Sequence, residues 1–166
     1  MKNYCEICRK KNLPTVLNLG KHPLCDDLIK IGSKKKNKLY KIEVVYCNDC
    51  VTAYQKFQVK KKVLFPLNYH YRANLTKDVL NGMQEIVNDC KKIFNSNLKH
   101  KTVLDVGCND GSLLNIFKKN KCITIGIEPT DACKEAKKNG HNTYQGYINS
   151  KIISKIKKKF KRINII

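Results

Sequence analysis

Residues 103–114 read VLDVGCNDGSLL, and residues 125–129, a short distance along the chain, read IGIEP. The first stretch predicts a buried strand, then a tight turn that contains Gly107 and Gly111, and then the start of a helix. The second stretch is another apolar run, and it ends in the acid Glu128. This order of strand, turn, helix and strand predicts a βαβ unit whose two strands are parallel.

The turn between the first strand and the helix indicates a pocket for a nucleotide-type cofactor. Gly107 and Gly111 can adopt backbone angles that are closed to other residues, which lets the main chain approach a ligand closely. The free N–H groups at the start of the helix offer partners to a polar ligand. Glu128 lies 23 residues after Asp105, close to the offset of about 20 residues at which an acid binds ribose hydroxyls. The alternative is a βαβ unit whose tight turn binds nothing.

Asp110, inside the turn, indicates the charge of the ligand. A carboxylate at this position would repel a pyrophosphate, which disfavours NAD. S-adenosylmethionine carries an ammonium and a sulfonium group, and an acidic turn suits both charges. The turn therefore favours S-adenosylmethionine as the cofactor.

Length and composition limit the remaining possibilities. A chain of 166 residues can hold one ordinary domain, or a small module joined to part of a larger one. The sequence has no apolar run that could cross a bilayer, and its N-terminus is too polar for a signal peptide. Nine cysteines without a secretion signal indicate a reducing compartment. We therefore expect a cytoplasmic protein without a membrane partner.

The formal net charge of +21 raises the question of nucleic-acid binding. Only Arg9, Arg72 and Arg162 are arginines, and the many lysines are spread along the chain. The joint abundance of lysine, asparagine and isoleucine is typical of nucleotide bias in a genome. We therefore expect a solvated basic surface with no specific nucleic-acid partner, and only salt-sensitive binding to polyanions.

Two CxxC pairs form the second strong motif of the sequence. Each pair can present two thiolates from one tight turn, and four thiolates match the tetrahedral preference of zinc. A closed four-cysteine site has no open coordination position, so its role would be structural. The alternatives are free thiols or one redox-active CxxC. The predicted zinc ligands are Cys5, Cys8, Cys47 and Cys50.

The chain divides into three segments by composition and pattern. Residues 1–59 form the predicted zinc-binding module, with strands in LYKIEVVYC and AYQKFQV. Residues 60–100 form a linker that contains FPLNYHY and a helix over residues 76–94. Residues 101–166 alternate between strands and helices, which predicts a parallel sheet with helices on both faces. The further elements predicted there are helices at 112–119, at 131–138 and from about 150, and a short strand within 142–147.

The order of the motifs resembles the sugar C-methyltransferases that act on nucleotide-linked deoxy-keto sugars. The matching stretches, in chain order, are CEIC, LNLGKHPLCDDLI, YCNDC, LFPLNYHY, VLDVGCNDGSLL, IGIEP and NTYQGYI. Those enzymes combine a zinc-binding N-terminal domain, a Rossmann-like S-adenosylmethionine domain and a further C-terminal domain. The resemblance implies an α/β fold in which a small zinc-ribbon-like domain precedes a Rossmann-like methyltransferase domain, which is incomplete here.

The resemblance also implies roles for individual residues. It makes the four CxxC cysteines the zinc ligands, and it makes Tyr69 and Tyr71 an active-site pair. Two phenols on one side of an extended segment can hydrogen-bond a keto oxygen while an enolate forms beside it. From the residues alone, two aromatic side chains in an extended segment serve more often in packing than in catalysis. The implied methyl-donor pocket consists of Asp105, Gly107, Asn109, Asp110, Gly111 and Glu128.

The sequence departs from the family in three places. Arg72, Ala73 and Asn74 stand where serines normally follow the tyrosine pair. Arg9 and Lys10 stand where a glycine turn normally follows the first CxxC. The sequence also ends near the start of the fourth strand, before the family's catalytic histidine and glutamate. We therefore expect either a gene fragment or one half of a split enzyme that another chain completes.

Two functions follow from these observations. The first is S-adenosylmethionine-dependent methylation of a carbon on a nucleotide-linked deoxy-keto sugar. The alternative is a catalytically inactive, zinc-bearing basic binding module, or a degenerate methyltransferase fragment.

Overall fold

A computed structural model describes residues 4–166, and the chain divides into two compact units, Met1–Leu64 and Phe65–Ile166. The described residues form two three-stranded sheets and five α-helices, so the prediction of a mixed α/β fold is confirmed. Most of the predicted linker, from Phe65 onward, lies within the second unit. No helix within residues 4–166 combines the length and the apolar character that crossing a bilayer requires.

The first unit is built on an antiparallel sheet in the order β1-β2-β3, followed by the short helix α1. Strands β2 and β3 lie where the sequence predicts strands. Strand β1 and helix α1 were not predicted. All eight residues of β1 are exposed, and its sequence TVLNLGKH does not alternate regularly between apolar and polar residues. That alternation is the pattern that marks a half-buried strand. The bounds are β1 Thr15–His22, β2 Tyr40–Cys47, β3 Thr52–Gln55 and α1 Lys61–Leu64.

The hydrophobic core of the first unit is very small. Among its described residues, the buried apolar side chains are those of Cys5, Val45 and Cys47. Two of these three are members of the CxxC pairs. A unit of this size with so little buried apolar surface needs another source of stability, such as a disulfide or a metal.

The second unit alternates helices and strands, as the sequence predicts. Helix α3 has the predicted bounds, and the other predicted helices and the strand near residue 142 are confirmed within a few residues. A 3₁₀ turn precedes helix α2. The elements are the 3₁₀ turn Ala73–Leu75, α2 Lys77–Ile93, β4 Thr102–Val106, α3 Ser112–Lys119, β5 Ile123–Glu128, α4 Ala132–Lys138, β6 Asn142–Gln145 and α5 Ser150–Lys159.

The sheet of the second unit is parallel, in the order β4-β5-β6. Leu104 of β4 lies opposite Ile125 of β5, and Ile125 lies opposite Asn142 of β6. On the other side of β4, Ile165 makes a parallel bridge with Val103. Strand β4 therefore lies inside the sheet, with hydrogen-bonded neighbours on both sides.

Helices cover both faces of this sheet. Val103 packs on one face in a cluster with Val87 of α2 and with Leu114 and Phe117 of α3. Its neighbour Leu104 faces the other side and joins the cluster that holds the α5 residues Ile152 and Ile156. Successive residues of β4 thus bury their side chains on opposite faces, as expected for a strand between two helical layers.

Candidate functional site

The four cysteines of the CxxC pairs come together in the first unit. Their Sγ atoms all lie within 4.8 Å of one another, and the Sγ atoms of Cys8 and Cys47 are 3.7 Å apart. A tetrahedral zinc ion with Zn–S bonds of about 2.3 Å places its sulfur ligands about 3.8 Å apart. Four thiols at this spacing match a closed structural zinc site.

Local backbone structure holds each CxxC pair in place. The first pair lies in a loop closed by hydrogen bonds from Cys5 N to Lys10 O (2.8 Å) and from Arg9 N to Cys5 O (3.0 Å). The second pair lies in the β2–β3 hairpin, in which Cys47 pairs with Thr52. An ion pair of 2.7 Å between Lys10 and Asp49 joins the two loops. The hairpin and these contacts hold the four thiols at the spacing of a zinc site.

The residue after each CxxC pair has a left-handed backbone. Arg9 has φ of 65° and Val51 has φ of 49°, a region that favours glycine and disfavours β-branched residues. Arg9 is the position at which the resemblance leads one to expect a glycine turn. The loop keeps the conformation of a glycine turn although the side chain is larger, and the guanidinium of Arg9 lies over the ring of Tyr4.

Hydrogen bonds shift the pKa values of the Cys5 and Cys50 thiols in opposite directions. The phenol oxygen of Tyr54 lies 2.9 Å from Cys5 Sγ. Burial opposes ionisation of Cys5, but the hydrogen bonds from Tyr54 and the backbone outweigh it and lower the pKa of Cys5 to about 6. The pKa of Cys50 rises to about 12, chiefly because its thiol is hydrogen-bonded to Cys8, with burial adding to the shift. One thiolate is thus available at neutral pH, and a bound zinc would displace protons from the others.

Comparison with known families agrees with this geometry. Residues 5–65 match the family model Methyltransf_13, which describes a zinc-binding domain. These residues form a methyltransferase-associated zinc-binding domain. The match includes all four cysteines of the cluster. No curated protein matches the chain.

Beyond the zinc-binding domain, the predicted cofactor residues lie at the carboxyl end of β4 in the second unit. Gly107 has φ of 94°, and a Cβ added there would meet no atom within 4 Å. Gly111 has φ of 84°, but a Cβ there would lie 2.9 Å from Cδ2 of His141 and 3.0 Å from Cβ of Ala136. Gly107 therefore leaves open space beside the turn, whereas Gly111 is needed for packing of the turn against its neighbours.

The two acids at the strand ends differ in their partners. Glu128 is buried: its Oε2 accepts a hydrogen bond from Asn109 N (3.0 Å), and its Oε1 accepts two from Thr130 (2.9 and 2.7 Å). The half-buried carboxylate of Asp105 accepts no hydrogen bond from any residue that the structure describes. Burial, and secondarily the charge of Glu128, raise the pKa of Asp105 to about 6. Of the two acids, Asp105 is therefore the one whose carboxylate has no hydrogen-bond donor among the described residues.

Asp110 and Asn109 make contacts that the sequence did not reveal. Asp110 is buried, and its carboxylate accepts hydrogen bonds from Ser112 N (3.0 Å), Ser112 Oγ (2.6 Å) and Asn74 N (3.0 Å). The Asn109 side chain accepts from Ala73 N (3.0 Å) and donates to Tyr71 O (3.2 Å). Both side chains thus anchor the segment that carries the two tyrosines. A contact of Asn109 or Asp110 with the methyl donor stays a prediction.

The tyrosine pair predicted for the active site lies beside this turn. The ring centroids of Tyr69 and Tyr71 are 6.4 Å apart, and the ring of Phe65 contacts that of Tyr69 edge-on. Tyr69 is half-buried, while Tyr71 is 42% exposed. The two aromatic rings therefore lie next to each other. Their catalytic role stays a prediction.

Further contacts fix the segment that carries the tyrosines, residues 65–74, along the carboxyl ends of the strands. Asp131 N, after β5, donates to Leu67 O (2.8 Å), and the hydroxyl of Tyr147, after β6, donates to Phe65 O (3.3 Å). Asn109 anchors the same segment after β4. The segment therefore crosses the edge of the sheet at which open parallel sheets bind their ligands.

Two clefts among the described residues lie away from this edge, and no predicted site residue lines either of them. One cleft of about 430 Å³ lies along α5, and one of about 300 Å³ lies beside β6. Lysines and neutral polar side chains make up most of their linings. We place the candidate ligand site at this edge of the sheet, because the open glycine turn and Asp105 lie there and the segment that carries the two tyrosines crosses it.

Proposed function

We propose that the second unit is a Rossmann-like domain that binds S-adenosylmethionine at the carboxyl edge of its sheet. The observation that carries this proposal is Asp105, a half-buried carboxylate that accepts no hydrogen bond from residues 4–166 and lies near a second acid and the open space at Gly107. An unpaired acid in such a place lowers stability, and that cost is typical of a ligand site. A cationic ligand would offset the charge of Asp105.

We further propose that the protein is a C-methyltransferase, or part of one, acting on a nucleotide-linked deoxy-keto sugar. S-adenosylmethionine, when bound, supplies an electrophilic methyl carbon to such a reaction. The zinc-binding domain supports this proposal, since its family model belongs to methyltransferases. The phenols of Tyr69 and Tyr71 would hydrogen-bond the keto oxygen of the sugar and stabilise the negative charge that develops as its neighbouring carbon loses a proton.

Calorimetric titration of the zinc-loaded protein with two analogues tests donor binding. S-adenosylhomocysteine lacks the sulfonium charge, whereas sinefungin carries a charged amine near the corresponding position. We expect both to bind, with sinefungin the tighter of the two. Asp105→Asn should weaken sinefungin about tenfold, or about 1.4 kcal/mol, and should remove most of its advantage over S-adenosylhomocysteine.

Asp78→Asn is the matched control, because Asp78 is an exposed acid of the same unit, on helix α2. It should bind both analogues as the unaltered protein does. Absence of saturable binding from folded, zinc-loaded protein would overturn the donor site. The zinc-bearing basic binding module would then be the better description of the chain.

A further inference from the structure

Arg72 makes a three-way contact at the centre of the segment 65–74. Its Nη1 donates to the carbonyl oxygens of Tyr69 (2.6 Å) and Tyr71 (2.9 Å). Its Nε donates to Oε1 of Glu135 on helix α4, at 2.7 Å. The planar guanidinium can serve all three acceptors at once, whereas a lysine ammonium lacks that fixed fork. Arg72 therefore fixes the backbone of both tyrosines relative to helix α4.

Asn109 makes a second link, between the same segment and the acid at the end of β5. Its backbone N–H donates to Glu128, while its side chain contacts Tyr71 O and Ala73 N. Its φ of 49° lies in the left-handed region, which asparagine tolerates better than most residues. A displacement of the turn at Asn109 must therefore move the backbone on both sides of Arg72, or break two hydrogen bonds.

We propose that Arg72 and Asn109 are positioning residues that couple occupancy of the glycine turn to the placement of the phenols of Tyr69 and Tyr71. This inference rests on the proposed donor site at the turn. A ligand that contacts Glu128 or the turn holds Asn109, and Asn109 holds the carbonyl of Tyr71. Because such coupling is reciprocal, a fixed tyrosine segment also strengthens binding at the turn.

Arg72 stands where the family resemblance leads one to expect a serine. A serine hydroxyl is too short to reach an acid on a neighbouring helix and two carbonyls at once. The contacts of Arg72 with Glu135 and with the two carbonyls fix the backbone of both tyrosines, which the motif itself does not predict.

Hydrogen exchange of individual backbone amides measures the coupling directly. The amides of Ala73 and Asn74 donate to Asn109 and Asp110, so their exchange reports whether the segment is held. In the zinc-loaded protein, we expect saturating S-adenosylhomocysteine to slow both amides at least fivefold, the lower end of typical coupling factors. Fluorine NMR of protein labelled with 3-fluorotyrosine should show the signals of Tyr69 and Tyr71 shifting in the same titration.

Two substitutions test the two residues. Asn109→Gly keeps the backbone N–H and suits the positive φ, but it removes both side-chain hydrogen bonds. It should abolish the effect of ligand on the Ala73 amide and weaken ligand binding by the same factor. Arg72→Lys should remove the shift of the tyrosine signals. Arg162→Lys is its matched control, because Arg162 is an exposed arginine of the same unit.

The amide of Ile125, in the middle of the sheet, checks each variant for global unfolding. If Arg72→Lys loses protection there, Glu135→Gln replaces it, since that change keeps an acceptor but removes the charge that holds the guanidinium. Glu135→Gln should then reduce the shift of the tyrosine signals.

The outcomes separate the inference from the proposed function. No saturable binding to the unaltered protein overturns both. Saturable binding with unchanged exchange at Ala73 and Asn74 overturns the coupling alone. Tyrosine signals in Arg72→Lys that respond as in the unaltered protein overturn the role of Arg72.

Discussion

The two units of the chain bury apolar side chains to very different extents. Among its described residues, the zinc-binding unit buries Val45 and two cysteines, and one whole strand of its sheet is exposed. The second unit buries large side chains on both faces of its sheet, among them Phe117 and Ile127. We infer that the metal site takes the place of a hydrophobic core in the first unit, whereas hydrophobic packing stabilises the second unit.

Loss of zinc should therefore have the largest effect, and it should be confined to one unit. Structural zinc contributes on the order of 10 kcal/mol in small metal-dependent domains. Chelation, or Cys47→Ser, should unfold the first unit, while amides of the second unit keep their protection in hydrogen exchange. Cys25→Ser is the control, since Cys25 is exposed and lies outside the cluster. Persistent protection of β2 amides after chelation would show that the sheet is stable without metal.

Truncation of a core side chain in the second unit should produce the converse pattern. Phe117 is almost fully buried against residues of α2 and β4. Phe117→Ala should lower the free energy of unfolding of the second unit by about 4 kcal/mol, because it leaves a cavity. Urea denaturation followed by amide exchange measures this loss. Zinc affinity should not change, and a large fall in zinc affinity would contradict the separation of the two sources of stability.

The predictability of the two units from sequence differs for the same reason. Helices α2 and α3 carry apolar residues at helical spacing because they pack against the hydrophobic core of the second unit. Their extents could therefore be predicted. Strand β1 buries nothing, and its pairing with β2 is irregular, so it leaves no periodic signal. The zinc ligands were predictable because a metal site needs fixed residue types at short spacings.

The anchoring contacts at the candidate ligand site were not predictable from sequence. Asn109 and Asp110 each contact a backbone amide 36 positions away. No local pattern marks such a pair, and the motif suggested only a ligand as their partner. The packing role of Gly111 was hidden in the same way, because His141 and Ala136 approach it from later elements. Local motifs indicated the candidate site, and only the tertiary structure shows which contacts hold its residues.

Asp105, which accepts no hydrogen bond from a described residue, lowers the stability of the second unit near neutral pH. The pKa of Asp105 is raised from 3.8 to about 6, so the folded state binds its proton more tightly than the unfolded state does. Its share of the stability is present below pH 4 and is lost as the pH rises through about 6. Asp105→Asn should therefore stabilise the second unit by about 1–2 kcal/mol at pH 7.5, and by little at pH 4.

Urea denaturation between pH 4 and pH 8 measures this difference, with Asp78→Asn as the control at an exposed acid. Burial lowers the pKa of His141, so low pH destabilises Asp105→Asn and the unaltered protein alike through that residue. Only the difference in stability between these two proteins reports on Asp105. Equal stability of Asp105→Asn and the unaltered protein at pH 7.5 would contradict the description of Asp105 as a half-buried acid without a hydrogen-bond donor among the described residues.

The smallest expected effect lies in the first unit, in the backbone of the second cysteine loop. Val51 is exposed and has φ of 49°, which costs a β-branched residue about 1–2 kcal/mol. Val51→Gly removes that strain but adds entropy to the unfolded chain, so we expect a net gain of about 1 kcal/mol. Because folding and metal binding are linked in this unit, the gain should appear as about fivefold tighter zinc in a competition titration.

Val16→Gly is the matched control for Val51→Gly, since Val16 is also exposed but lies in strand β1. Glycine in a strand is destabilising, so zinc should bind this variant more weakly. The two valine substitutions should therefore change the zinc affinity in opposite directions. Arg9→Gly should increase the zinc affinity less than Val51→Gly does, because it also removes the contact between the guanidinium and the Tyr4 ring. Weaker zinc binding by Val51→Gly would mean that the side chain, and not the backbone, stabilises this loop.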